Sequence, residues 1–211
     1  MAEEELARRG AKSPFKGYAP MGLPPYPAVV CASLNDVIVH GIPNRAKLQE
    51  GDIIGLDFGS IFEGFVGDAA ITIPVGNVSE KAKLLMDTTR ECLELAIEEM
   101  RPGRHLGDIG AAVQQVVEGA GFSVVRDLVG HGVGYAPHED PQVPNYGKPK
   151  RGPRLQVGMT LAIEPMVNVG GPTTRTMPDK WTIVTADGRR SAHFEHTVAI
   201  TEAGPRVLTR V

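Results

Sequence analysis

The chain has 211 residues, of which 42% are hydrophobic and 22% charged, enough for one domain with a sizeable core. Its 25 acidic and 22 basic residues leave a formal charge of −3, which excludes a long nucleic-acid footprint or a polybasic membrane patch. Only two cysteines occur, Cys31 and Cys92, and they form no CxxC pair; this excludes a thiolate zinc knuckle and fits a reducing cytoplasm.

The acidic start, Met1 to Leu6, has no apolar signal core, and no run approaches the roughly 18 apolar residues of a membrane span. Residues 2 to 9 read as a short helix stopped by Gly10. From Ser13 to Pro27 five prolines rule out a regular helix, leaving either a linker or an ordered loop that lines a pocket. Strands and turns dominate from Val29. Residues 52 to 58 alternate, with Ile54, Leu56 and Phe58 on one face and Ile53, Gly55, Asp57 and Gly59 on the other. A second extended run covers Phe65 to Pro74. Ser79 caps a predicted helix that runs to about Met100, where Pro102 and Gly103 stop it. Another helix fits Leu106 to Glu118, ending at Gly119 or Gly121. Further strands are expected over Ser123 to Val129, Thr160 to Val169, Trp181 to Thr185 and Ala192 to Thr201. Two helices set among strand pairs make the fold class α+β.

Asp57, Asp68, His131, Glu164 and Glu195 all lie in apolar or glycine-rich segments expected to be buried. Buried ionised carboxylates need cations or donors, and these segments supply no matching lysines or arginines. A hairpin centred between Phe62 and Glu63 would set Asp57 opposite Asp68, with Cβ atoms about 5 Å apart, close enough to repel unless a cation or a shared proton intervenes. Each residue taken alone reads more readily as a turn, an edge-strand or a structural core position; the set carries the case. In Gly130-His131-Gly132 the flanking glycines let a backbone come near a site, and a neutral imidazole is a common metal ligand. One nitrogen and four carboxylate ligands suit Mn, Fe, Co or Zn, held as a pair sharing bridging carboxylates. His40 and His138 sit in Gly- and Pro-rich loops of the kind where function concentrates.

The ordered set His40, Asp57, Asp68, His131, His138, Glu164 and Glu195 resembles type I methionine aminopeptidases, and so do the surrounding words VHGIP, GDIIGLDFG, GHGVG, HEDPQVPNYG, IEPMVN and FEHTVAIT. The likeness runs from about Ala2 to Thr209. It implies the pita-bread fold, two similar α/β halves around two divalent metal ions. It implies Asp57, Asp68, His131, Glu164 and Glu195 as metal ligands, Asp68 and Glu195 bridging. Glu164 would shuttle a proton, His138 would stabilise the carbonyl oxygen, and His40 would bind the substrate amide. Tyr26, Cys31 and Trp181 match positions around a methionine side-chain slot whose tight wall favours a small second residue. The implied partners are N-termini of nascent polypeptides at the ribosome, met by a cytoplasmic monomer.

Measured against the resemblance, the chain starts roughly 40 positions into the family pattern, which implies an incomplete N-terminal half that exposes apolar surface at about 25 cal/mol per Å². Pro20, Leu23 and Pro137 depart from common forms and alter the expected pocket shape. A pita-bread peptidase that cuts before proline and a non-catalytic pita-bread binding protein are the alternatives. The second loses ligand residues, whereas this chain keeps all five.

Overall fold

A computed structural model describes residues 1–210. The helices are α1 (Ala2–Arg8), α2 (Glu80–Glu98) and α3 (Leu106–Gly119). The strands are β1 (Cys31–Leu34), β2 (Val37–Val39), β3 (Ile53–Phe62), β4 (Phe65–Pro74), β5 (Ser123–Val124), β6 (Gly130–Gly132) and β7 (Glu139–Val143). They continue with β8 (Thr160–Ile163), β9 (Met166–Asn168), β10 (Thr174–Thr176), β11 (Ile183–Thr185), β12 (Ser191–His193), β13 (Glu195–Thr201) and β14 (Gly204–Val207). The main antiparallel sheet runs β1-β3-β4-β13-β8-β6-β7, with β14 added to β13. Two small sheets, β10-β11-β2 and β12-β9-β5, flank it.

The two long helices follow their apolar periodicity. Ser79 caps α2, its Oγ accepting from the Ala82 amide at 3.3 Å. Ala82, Leu85, Met86, Thr89, Cys92, Leu93 and Ala96 form the buried stripe of α2, while Leu84 faces solvent. This stripe, with Ile109, Val113 and Val117 of α3, packs on Leu161, Ile163, Val198 and Ile200 of the sheet. Strand alternation then places Ala162, Glu195 and Thr197 on the opposite face, away from the helices. Ile71 and Ile73 of β4 project into solvent.

Four strand expectations are corrected. The run from Thr160 to Val169 breaks at Glu164-Pro165, because proline cannot donate to a ladder; β8 and β9 belong to different sheets. Ala192 to Thr201 likewise breaks at Phe194, between β12 and β13. Only Ser123 and Val124 of the third segment pair, and the fourth strand starts at Ile183, since Asp179 turns the chain by accepting from the Trp181 and Thr182 amides. The β3–β4 hairpin turns at Glu63-Gly64, both with positive φ (50° and 86°), rather than at Phe62-Glu63. Asp57 therefore stands opposite Ala70, and Asp68 opposite Gly59. The register differs from the expected one by two residues, so both carboxylates stay on one face as diagonal neighbours.

Candidate metal centre

Asp57 and Asp68 enter the site from β3 and β4, His131 from β6, Glu164 from the end of β8, and Glu195 from the start of β13. These five strands, β3-β4-β13-β8-β6, are consecutive in the sheet. β13 pairs with β4 through Glu195 and Ala70, and with β8 through His196 and Ile163; β6 pairs with β8 through His131 and Ala162. All five expected ligands thus converge. One oxygen or nitrogen from each of Asp68, His131 and Glu195 lies within 4.8 Å of the others, and the same holds for Glu164, His193 and Glu195. Glu195 belongs to both triads. Asp57 joins through its contact with Asp68; its Oδ1 is sealed from solvent without a hydrogen-bond partner.

His193 is the residue that sequence reading missed. Its Nε2 is buried without a partner, 3.5 Å from Glu164 Oε2 and 3.9 Å from Glu195 Oε2. The available signal was its position two residues before Glu195, but the pairing breaks between them at Phe194, so strand alternation alone does not place it.

Local hydrogen bonds hold the ligand-bearing backbone. The Thr197 hydroxyl accepts from the Asp68 amide and donates to the Asp68 carbonyl, both at 2.8 Å. Asn145 donates to the Glu164 carbonyl at 2.9 Å. His131 Nδ1 lies 2.9 Å from the Gly132 carbonyl, which can only accept; in the neutral ring Nε2 is then the free lone pair, and it faces Glu164 Oε1 at 3.4 Å. The glycines beside His131 also serve strand packing. A Cβ on Gly130 would sit 2.4 Å from the Ala162 carbonyl oxygen, and one on Gly132 would sit 2.3 Å from that of Asp140. They let β6 lie close against its neighbouring strands.

Electrostatics fit a cation. Among the described residues no lysine or arginine pairs with Asp57, Asp68, Glu164 or Glu195; their charged neighbours are one another and two histidines. Burial, then mutual repulsion, pushes Asp57 and Glu195 well above the usual carboxylate range. Burial and the Glu164 charge raise Asp68 to about 7, and burial raises Glu164 to about 7. Burial lowers His40 and His193 to about 4. Carboxylates that hold protons this tightly, beside imidazoles that refuse them, are what a dication would satisfy. The orphaned Asp57 Oδ1 and His193 Nε2 are two further unmet donors, and nitrogen with carboxylate oxygen suits Mn, Fe, Co or Zn. The residues present therefore fit a divalent metal.

The expected substrate residues adjoin this centre. Cys31 pairs in register with Asp57, and Tyr26, Cys31 and Trp181 form one buried cluster with Leu23 packed against it. Trp181 Nε1 donates to the Pro24 carbonyl at 2.8 Å, and the Tyr26 hydroxyl donates to that of Gly41 at 2.9 Å. The proline-rich segment is thus an ordered lining loop. His40 holds a positive φ of 58°, a conformation that costs a non-glycine residue about 1–3 kcal/mol, and its ring meets Trp181 edge-on at 6.1 Å. His138 meets His131 at a tilt with ring centroids 4.4 Å apart, and Tyr18 stacks on His138 at 5.4 Å. The Tyr18 hydroxyl is 3.0 Å from His138 Nδ1. With Tyr18 donating there, the neutral ring carries its proton on Nε2, ready to donate.

A curled antiparallel sheet that gathers carboxylates and imidazoles fit for divalent metal, beside a buried apolar cluster, defines a metallohydrolase. The model of metallopeptidase family M24 matches residues 1–202. The chain belongs to metallopeptidase family M24, and within it to the methionine aminopeptidases. It is 50% identical over 211 residues to methionine aminopeptidase 1 of Bacillus subtilis, spanning all of this chain and 83% of that one. It is 46% identical over 215 residues to the Aquifex aeolicus methionine aminopeptidase, again with 83% of the relative covered. The crystal structure of the Thermotoga maritima methionine aminopeptidase superposes with a TM-score of 0.94 at 49% identity, covering 99% of this chain and 82% of that one. The Pyrococcus horikoshii prolidase, at 23% identity and a TM-score of 0.70, shares the pita-bread fold.

Proposed function

We propose that the chain hydrolyses the peptide bond after the N-terminal initiator methionine of nascent proteins, using a pair of divalent metal ions. The convergence of Asp57, Asp68, His131, Glu164 and Glu195 from five neighbouring strands onto one buried cluster carries this reading. Glu195, common to both triads, and Asp68 would bridge the two ions. When bound, the ions supply an activated water and polarise the scissile carbonyl.

The chain's own residues do the rest. Glu164 takes a proton from the water and returns it to the leaving amine. His138, with Nε2–H held outward by Tyr18, donates to the carbonyl oxygen as charge develops there. His40, beside Trp181, hydrogen-bonds the substrate amide. Tyr26, Cys31 and Trp181 hold the methionine thioether in an apolar slot. Leu23, packed on that cluster, helps close the wall that favours a small second residue. The enzyme would act as a cytoplasmic monomer on chains leaving the ribosome. Two buried free thiols agree with that location.

The test compares hydrolysis of Met-Ala-Ser with that of a peptide cut before proline, each with chelator and with added Co, Mn, Fe or Zn. Metal-dependent release of methionine is expected from the first peptide alone. Absence of cleavage with every metal would leave a binding protein, and preferential cleavage of the second peptide would replace the substrate class.

A further inference from the structure

We propose that Ser33 and Tyr26 are positioning residues for His40: their hydroxyls fasten the backbone of Gly41, and through it they hold His40 in the strained conformation that keeps its ring at the substrate site. The inference rests on the role given to His40 above and adds two groups that act through it.

His40 is the single residue that carries the chain from one sheet to another. Val39, before it, pairs with Ile183 in the small sheet β10-β11-β2. Gly41, after it, bonds to β1 at the start of the main sheet. Between these anchors His40 takes a φ of 58°, in the left-handed region that an L side chain enters only at a cost. A residue stays there when its surroundings over-determine it. Relaxation to a negative φ would re-aim the Cα–Cβ bond and carry the imidazole away from Trp181, which it now meets edge-on.

The over-determination sits one residue on. Both polar backbone atoms of Gly41 are bonded. Its amide donates to Ser33 Oγ at 3.3 Å. Its carbonyl accepts twice, from the Ala32 amide at 2.8 Å and from the Tyr26 hydroxyl at 2.9 Å, which occupies both lone pairs. A Cβ on Gly41 would sit 2.3 Å from the Ala32 carbonyl oxygen, so glycine lets the chain lie this close to β1. The bond from Ala32 is backbone to backbone, and many sequences could make it. The other two are what these side chains add: Ser33 reaches from β1, and Tyr26 from the lining loop. The Tyr26 ring packs edge-on against Trp181 at 5.3 Å, so the slot uses its ring and Gly41 uses its hydroxyl. Ser33 and Gly41 are both buried, so water does not replace a partner that is lost.

A double-mutant cycle on the full, metal-loaded chain tests this. Ser33→Ala removes one hydroxyl and Tyr26→Phe the other. Each is measured alone and in a His40→Ala background, as kcat/KM on Met-Ala-Ser, with circular dichroism to check folding. Either change alone should lower kcat/KM by about 5- to 20-fold, because the strained conformer is no longer the favoured one. In the His40→Ala background the same change should cost less than about 2-fold, since the ring being positioned is gone. A residue that only supports the fold, or the slot, would cost the same in both backgrounds. That result, or no loss in either background, overturns the role of the hydroxyl concerned. The two arms are independent, so a Ser33→Ala chain that does not fold leaves Tyr26→Phe to decide. Full activity in His40→Ala alone would remove the role of His40 and this proposal together. No release of methionine by the unaltered chain with any metal would remove the underlying function as well, an outcome distinct from the others because it appears before any substitution is made.

Discussion

Stripping the divalent metal should make the folded chain less stable as pH rises from 6.5 to 8. Asp68 and Glu164 titrate near 7 when folded, against 3.8 and 4.5 as free side chains, so in this window the folded state holds protons that the unfolded chain has released. For a carboxyl raised in this way the stabilising protonation is complete below the unfolded value and is lost as pH climbs through the folded one. Each such group costs about 1.4 kcal/mol per pH unit while it still holds its extra proton. Asp68 and Glu164 together should cost about 1–2 kcal/mol across the window, or about 2–8 °C in melting temperature for a chain of this size. Asp57 and Glu195, also raised, add in the same direction. His40, His138 and His193 work in the opposite sense, from their folded values of about 4 to about a unit above the ordinary 6.5, and offset about 0.4 kcal/mol each at the start of the window, less than the four carboxyls together cost. The assay is differential scanning calorimetry on chelator-treated protein at pH 6.5, 7.25 and 8, repeated with cobalt. Bound metal replaces the protons, so the slope of the loaded protein should flatten or reverse. A melting temperature of the stripped protein that is flat or rises with pH would refute the reasoning. Asp68→Asn should reduce the slope, since it removes one of the groups that titrate.

Tyr18→Phe removes the hydroxyl that fixes the His138 proton on Nε2, and kcat should fall by about 3- to 10-fold, the equivalent of one hydrogen bond, with little change in KM. Steady-state kinetics on Met-Ala-Ser reads this, and an unchanged kcat would remove Tyr18 from the positioning of His138. Thr197→Val leaves the buried Asp68 amide and carbonyl without their shared partner and should cost about 1–3 kcal/mol of stability, measured by urea unfolding. Metal affinity should fall with it, and a variant as stable as the parent would show that the clamp contributes nothing.

The helices were legible because their signals are local: a serine cap, an apolar stripe and a Pro-Gly stop. The carboxylates were legible for the opposite reason, a conflict between charge and apolar surroundings that only a shared partner resolves. What sequence could not supply was register. The Asp57–Asp68 distance depended on where one turn closes, and Gly64 moved that turn by one residue and the pairing by two. The faces survived because the shift was even; a shift of one would have sent Asp68 into solvent with Ile71 and Ile73. The breaks at Pro165 and Phe194 were missed for a related reason: a strand that changes sheets keeps its composition while its partners change. His193 stands at the second of these breaks. Read as one continuous strand, the segment shows an apolar run with a histidine in it, and an unpaired histidine in a core strand has an ordinary structural explanation. Only the bend after β12, held by Thr72, turns His193 toward Glu164 and leaves its Nε2 facing two carboxylates at distances that no hydrogen bond between them explains.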